Sequence, residues 1–146
     1  MKKISALVLA FSSVIGVFGQ SSNFVLLTDK ISSGGGSVSC ELTFEYSGKA
    51  ISTLGVNINL PEGWSYVGAS GENLPSICPV PGSTEAAEFA YLNLPADRFS
   101  YRIDLRYPAG LSNFSNIEGA IIYKLRGERD LVSIEIVAVS PTPPKD

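Results

Sequence analysis

The sequence predicts an all-β domain, a jelly-roll or Ig-like β-sandwich of about nine strands, and three observations predict it. Short apolar runs alternate residue by residue with polar ones, which is the period of a strand with one buried face. Clusters of Gly, Pro, Asn and Ser interrupt those runs at short intervals, as they do in sandwiches. After the first nineteen residues, no window sustains the 3.6-residue period of an amphipathic helix.

Residues 1–19 read as a secretory signal. Lys2 and Lys3 open it, Ile4 to Phe18 form an apolar run, and Val17-Phe18-Gly19 suits a cleavage site before Gln20. That run is about fifteen residues long, short of the ~20 that span a bilayer. The expectation is therefore an exported chain, secreted to the extracellular space or held at the cell surface, with no membrane span once the signal is removed. Residues 20–139 then form the sandwich, and residues 140–146 form a Pro-rich, linker-like tail.

Within the domain the elements follow in order. Phe24 to Thr28 is a short apolar run, and Ser32-Ser33-Gly34-Gly35-Gly36 turns the chain. Val38, Cys40, Leu42 and Phe44 then alternate cleanly with polar neighbours. Leu54, Val56, Ile58 and Leu60 share one face of the next strand, opposite Thr53, Gly55, Asn57 and Asn59. Pro61-Glu62-Gly63 reads as a tight corner, since Pro61 gives no ladder donor and Gly63 accepts positive φ. Trp64, the only Trp, follows it with Tyr66 on the same side, and it is expected to plug the core. Gly68 to Gly82, with Pro75, Pro79 and Pro81, reads as a long loop. Glu88 to Leu92 and Phe99 to Tyr107 resume as strands, the second turning at Pro108-Ala109-Gly110. Ile117 to Leu125 and Val132 to Ala138 close the pattern around a charged tip, Gly127 to Asp130. Gly119 and Ala120 leave room there for a bulky neighbour.

Charge and composition exclude several function classes. The formal net charge of −3 becomes −5 when Lys2 and Lys3 leave with the signal, and no basic block exists. Nucleic acid and anionic membrane are thus not expected partners. The chain has no His, which removes the commonest general base and the commonest transition-metal ligand. No metal site, cofactor or catalytic residue is predicted, and the chain does not read as an enzyme. The carboxylates Glu85 and Glu88 resemble a glycosidase pair only in type, and a solvated surface explains them as well.

Surface recognition remains. The tyrosines offer faces on which sugars stack and partners pack, and Tyr46, Tyr91 and Tyr107 are the candidate ligand-binding residues. Against this, Tyr107 shares the phase of Phe99, Ile103 and Leu105, and Tyr91 that of Phe89, so a core role competes. Cys40 and Cys78 allow two readings. An exported chain can join them in a disulfide worth about 4 kcal/mol for a loop of this length. Alternatively Cys40 is a small core hydrophobe and Cys78 a loop thiol.

The order of motifs resembles the cohesin-like modules of bacterial secreted and cell-surface proteins, which are related to carbohydrate-binding modules of families two and three. The residues that carry the resemblance are Leu60-Pro61-Glu62-Gly63-Trp64-Ser65-Tyr66-Val67, then Glu88-Phe89-Ala90-Tyr91, then Phe99-Ser100-Tyr101-Arg102-Ile103 and Tyr107-Pro108-Ala109-Gly110. It spans roughly Phe24 to Val139. The resemblance implies a non-catalytic module that holds a polysaccharide or a protein, whether a dockerin-type partner or another surface protein. A structural spacer or adhesion-type domain with no ligand of its own is the alternative.

Overall fold

A computed structural model of the chain describes residues 21–46, 50–114 and 116–138. The expected signal (1–19) and Pro-rich tail (140–146) lie outside the described residues. Among the described residues there are eight strands and no helix: β1 (Ser21–Leu26), β2 (Gly36–Glu45), β3 (Ile51–Asn59), β4 (Ser65–Gly71), β5 (Ala86–Ala90), β6 (Arg98–Tyr107), β7 (Ile117–Leu125) and β8 (Val132–Ala138). They form two antiparallel four-stranded sheets, ordered β1-β2-β6-β4 and β5-β3-β7-β8. The protein is an all-β sandwich. Two hairpins, β1–β2 and β7–β8, stay within a sheet, and every connection between β2 and β7 crosses to the other sheet.

Alternation explains the layering. In β6, Phe99, Tyr101, Ile103, Leu105 and Tyr107 are buried while Arg98, Arg102 and Arg106 face water. In β2, Val38, Cys40, Leu42 and Phe44 point the same way, in register with Leu105, Ile103, Tyr101 and Phe99. The opposing sheet contributes Leu54, Val56 and Ile58 from β3 and Ile117, Ile121 and Tyr123 from β7. Phe44, Phe99, Tyr101, Phe89 and Tyr91 form a chain of ring contacts through this layer, with centroids 5.3–5.9 Å apart.

The count is eight strands among the described residues, where the resemblance implies about nine. Between β4 and β5, residues 72–85 make only one isolated bridge, Ile77 with Ala90. Pro75, Pro79 and Pro81 remove the donors a further strand would need. β4 itself runs on to Gly71, past a register shift between Tyr66 and Gly68 that bends this edge strand.

The Pro61–Trp64 corner organises one end of the sandwich. The Trp64 amide donates to the Pro61 carbonyl at 3.0 Å. Gly63 has φ +87°, the value a type II turn requires at its third position. A Cβ on Gly63 would stand 3.1 Å from the Pro108 ring, so this corner and the turn after β6 are packed against each other. Trp64 is 1% exposed, with its ring 5.8 Å from Tyr107 and 5.9 Å edge-on to Phe114. The sole Trp is a core plug.

Candidate functional site

The three tyrosines singled out by sequence are staples of the core. Tyr46 is buried and its hydroxyl donates to the Pro95 carbonyl at 2.5 Å. Tyr91 is buried and donates to the Asn73 carbonyl at 2.5 Å. Tyr107 is buried, and its hydroxyl accepts from the Ser32 amide at 2.9 Å. Each ring lies inside while its polar tip ties down a loop. None offers a flat face to a ligand, because each shares the inward phase of its strand or caps it.

Both cysteines are free thiols in the structure, so no bridge links them. Cys40 points between the sheets from the middle of β2, fully buried, and burial with the nearby Asp104 charge pushes its thiol up to about 12. Cys78 sits in the β4–β5 loop, where its thiol reaches the Pro75 carbonyl at 3.6 Å. Partial burial raises that thiol as well, against a hydrogen bond with Tyr66 that lowers it. This arrangement is the core-hydrophobe and loop-thiol reading.

Glu85 and Glu88 do not converge as a catalytic pair. Glu85 holds a left-handed backbone, φ +74°, at the entry to β5, where its carbonyl accepts from the Leu60 amide. Glu88 stands on the outer face of β5, opposite Asn57. Among the described residues, no three Asp, Glu, Cys or His side chains gather as a metal site.

With the core spoken for, the two outward faces remain, and they differ. On the β1-β2-β6-β4 sheet the polar groups pair with one another. Ser39 donates to Asp104 at 2.6 Å, Thr43 and Ser100 hydroxyls meet at 2.9 Å, and Arg98 and Arg102 approach Glu45 and Asp104 at 3.3 and 3.6 Å. Arg98, Arg102 and Arg106 balance Glu41, Glu45 and Asp104 there. That face is a solvated surface on which many polar groups pair, and a hollow of about 400 Å³ lies there beside Glu41, Ser70, Arg98 and Arg102.

The β5-β3-β7-β8 sheet presents the opposite case. Its register sets Glu88, Asn57, Ala120 and Glu135 side by side in one row across all four strands. The adjoining rows are Ala86, Asn59, Glu118 and Val137, and Ala90, Gly55, Ile122 and Ser133. Small side chains at Gly55, Asn57 and Ala120 make a low floor between the acidic positions. Two hollows of about 290 and 330 Å³ lie over this floor, and Asn57 lines both. The Asn57 Oδ1 atom is buried without a hydrogen-bond partner. Such an orphan acceptor costs about 1–3 kcal/mol, and because the atom is closed off from solvent an occupant of the hollows reaches it only if the side chain moves. Three carboxylates against Lys124 make the face acidic. The other buried orphan among the described residues, the Tyr101 hydroxyl, faces the core beside Tyr91, Cys78 and Tyr66 instead.

The outward phase of Asn57, Asn59 and Glu135 was readable from alternation. Their assembly into one floor was not, because it depends on β3 lying between β5 and β7.

No family model and no curated protein matches the chain. The resemblance to cohesin-like modules therefore rests on the sequence motifs. Among solved structures, the chitin-binding domain of a chitinase from Pyrococcus furiosus is 12% identical, with a TM-score of 0.42 over 77% of this chain and 99% of that one. A collagen-binding domain from a Staphylococcus aureus adhesin is 10% identical, with a TM-score of 0.43 over 79% and 95%. A third similar structure is AvmM, which catalyses macrocyclization in alchivemycin A biosynthesis; it is 8% identical, with a TM-score of 0.36 over 88% and 92%. Likeness this distant transfers no ligand, partner or activity to the present chain.

Proposed function

We propose that the protein is a secreted, non-catalytic recognition module that binds a polysaccharide or a protein through the outer face of its β5-β3-β7-β8 sheet. One observation carries the reading: a floor of small residues at Gly55, Asn57 and Ala120 lies open between the outward carboxylates of Glu88, Glu118 and Glu135. The opposite face pairs several of its polar groups internally. A binding surface needs unspent hydrogen-bonding capacity and room for close approach, and the acidic face offers both. The ordered motifs of the Pro61–Trp64 corner, β5 and β6 support a cohesin-like module, and a dockerin-type or other surface protein is then one partner class.

The test is a screen of the purified protein against soluble and insoluble polysaccharides and against proteins from the cells that export it. Ala120→Arg raises the floor of the acidic face, whereas Asn23→Arg adds the same group to the outward side of β1. Retention of a ligand by the wild type and Asn23→Arg, with loss in Ala120→Arg, is the expected result. Equal retention by both variants would contradict the assignment. Silence in every arm would favour the spacer.

A further inference from the structure

We infer that the ligand of the acidic face is an extended peptide segment carrying lysine or arginine, laid along β3 and β7 between Glu88 and Glu135. This inference rests on the reading above and names the ligand class for that same face. Three features of the floor support it.

The first is width. Glu88 on β5 and Glu135 on β8 are separated by three strand spacings, roughly 14 Å at the usual inter-strand distance. An extended chain takes about 4.8 Å of width, the spacing of neighbouring strands, which leaves room for its side chains to reach either carboxylate. The low positions between them, Asn57 and Ala120, run on along the strands to Asn59 at one end and Gly55 at the other.

The second is charge. Glu88, Glu118 and Glu135 are exposed around the floor, and Lys124 is the one cation within the four strands of this sheet, with Arg126 just beyond the end of β7. A lysine or arginine side chain lying over Asn57 reaches a carboxylate on either side, and charge-assisted hydrogen bonds are the stronger kind. The hollow beside it, lined by Ile122 and Leu131, suits an apolar residue of the same segment.

The third is hydrogen bonding. The exposed Glu88, Glu118 and Glu135 carboxylates accept N–H or O–H from an occupant. A peptide supplies one at every backbone amide. A sugar chain supplies hydroxyls too, but none of the residues lining the two hollows apart from Phe89, whose side chain is buried, is aromatic, and stacking is absent from the floor. These observations favour the peptide over the glycan.

The test uses calorimetric titration with a short capped peptide alternating lysine with threonine, and with its glutamine-for-lysine counterpart. The lysine peptide is expected to bind about ten-fold more tightly than the glutamine one, and more weakly as salt is raised. Glu88→Gln combined with Glu135→Gln should weaken it by about ten-fold. Glu41→Gln combined with Glu72→Gln removes the same charge elsewhere and should change it less than about two-fold. Equal weakening by both pairs would reduce the effect to general attraction and overturn the inference, as would no binding of either peptide. If both peptides fail while a polysaccharide is held by the wild type and lost from Ala120→Arg, the face stands and the peptide assignment falls. If Ala120→Arg keeps every ligand, the face itself is wrong.

Discussion

Trp64 shows how one residue fixes an end of the sandwich. Its ring fills the space between the Pro61–Gly63 corner, Tyr107 and Phe114. Trp64→Ala should therefore cost about 3–5 kcal/mol in denaturant-monitored unfolding; a loss under about 1 kcal/mol would mean the ring is not core. Glu85 is the reverse case, a non-glycine residue held at φ +74°. Glycine there removes a left-handed penalty of about 1–2 kcal/mol and returns part of it as chain entropy. Glu85→Gly should leave the melting temperature unchanged or raise it by a few degrees, and a clear drop would show that the Glu85 side chain contributes more than its backbone strain removes. The cysteines separate by accessibility. In native protein a thiol reagent should label Cys78 alone, and in denaturant both cysteines; native labelling of neither would indicate a bridge.

At the scale of elements, β3 and β7 are the pair on which the acidic face rests. Gly119 is paired with Ile58, and a Cβ built there would run into the Asn57 carbonyl and the Ile58 side chain. Gly119→Ala should destabilise the domain by about 1–3 kcal/mol and disturb the Asn57 environment, whereas Ala120→Ser, one residue on and facing out, should be tolerated. Equal stability of the two variants would contradict this packing. Much of each element was legible in the chain: the inward sets of β2, β3 and β6 follow from strict alternation, and the corner follows from Pro61 and Gly63. The room that Gly119 leaves is filled by Ile58, a bulky neighbour of the expected kind. What alternation could not carry was adjacency. Glu88, Asn57, Ala120 and Glu135 come from four strands of which only β7 and β8 are consecutive, and nothing in a period-2 pattern says which of the others pair. The burial of the Tyr46, Tyr91 and Tyr107 rings was hidden for a related reason. An aromatic residue at a strand end has the same sequence signature whether its ring faces a ligand or a neighbouring sheet.

For the whole molecule, the buried phenols and thiol set the response to pH. Burial raises Cys40 from 9.0 and Tyr66 from 10.0, each to about 12, and raises Tyr91 and Tyr101 as well. The folded state keeps protons that the unfolded chain releases, so this stability is whole below pH 9 and lost as pH climbs toward 12. Unfolding free energy measured in denaturant at successive pH values should stay level from neutrality to about pH 9 and then fall; a rise above pH 9 would contradict the buried placement of these groups. On the proposed reading the two outer surfaces divide between solvation and recognition, one with many of its charges paired and the other an acidic floor of small residues. Amide-resolved NMR of the protein titrated with the lysine–threonine peptide tests that division most directly. The sandwich predicts shifts concentrated at Gly55, Asn57, Asn59, Glu118, Ala120 and Glu135, with the outward residues of β2 and β6 unmoved. Shifts centred on the β2–β6 face, with β3 and β7 silent, would contradict it.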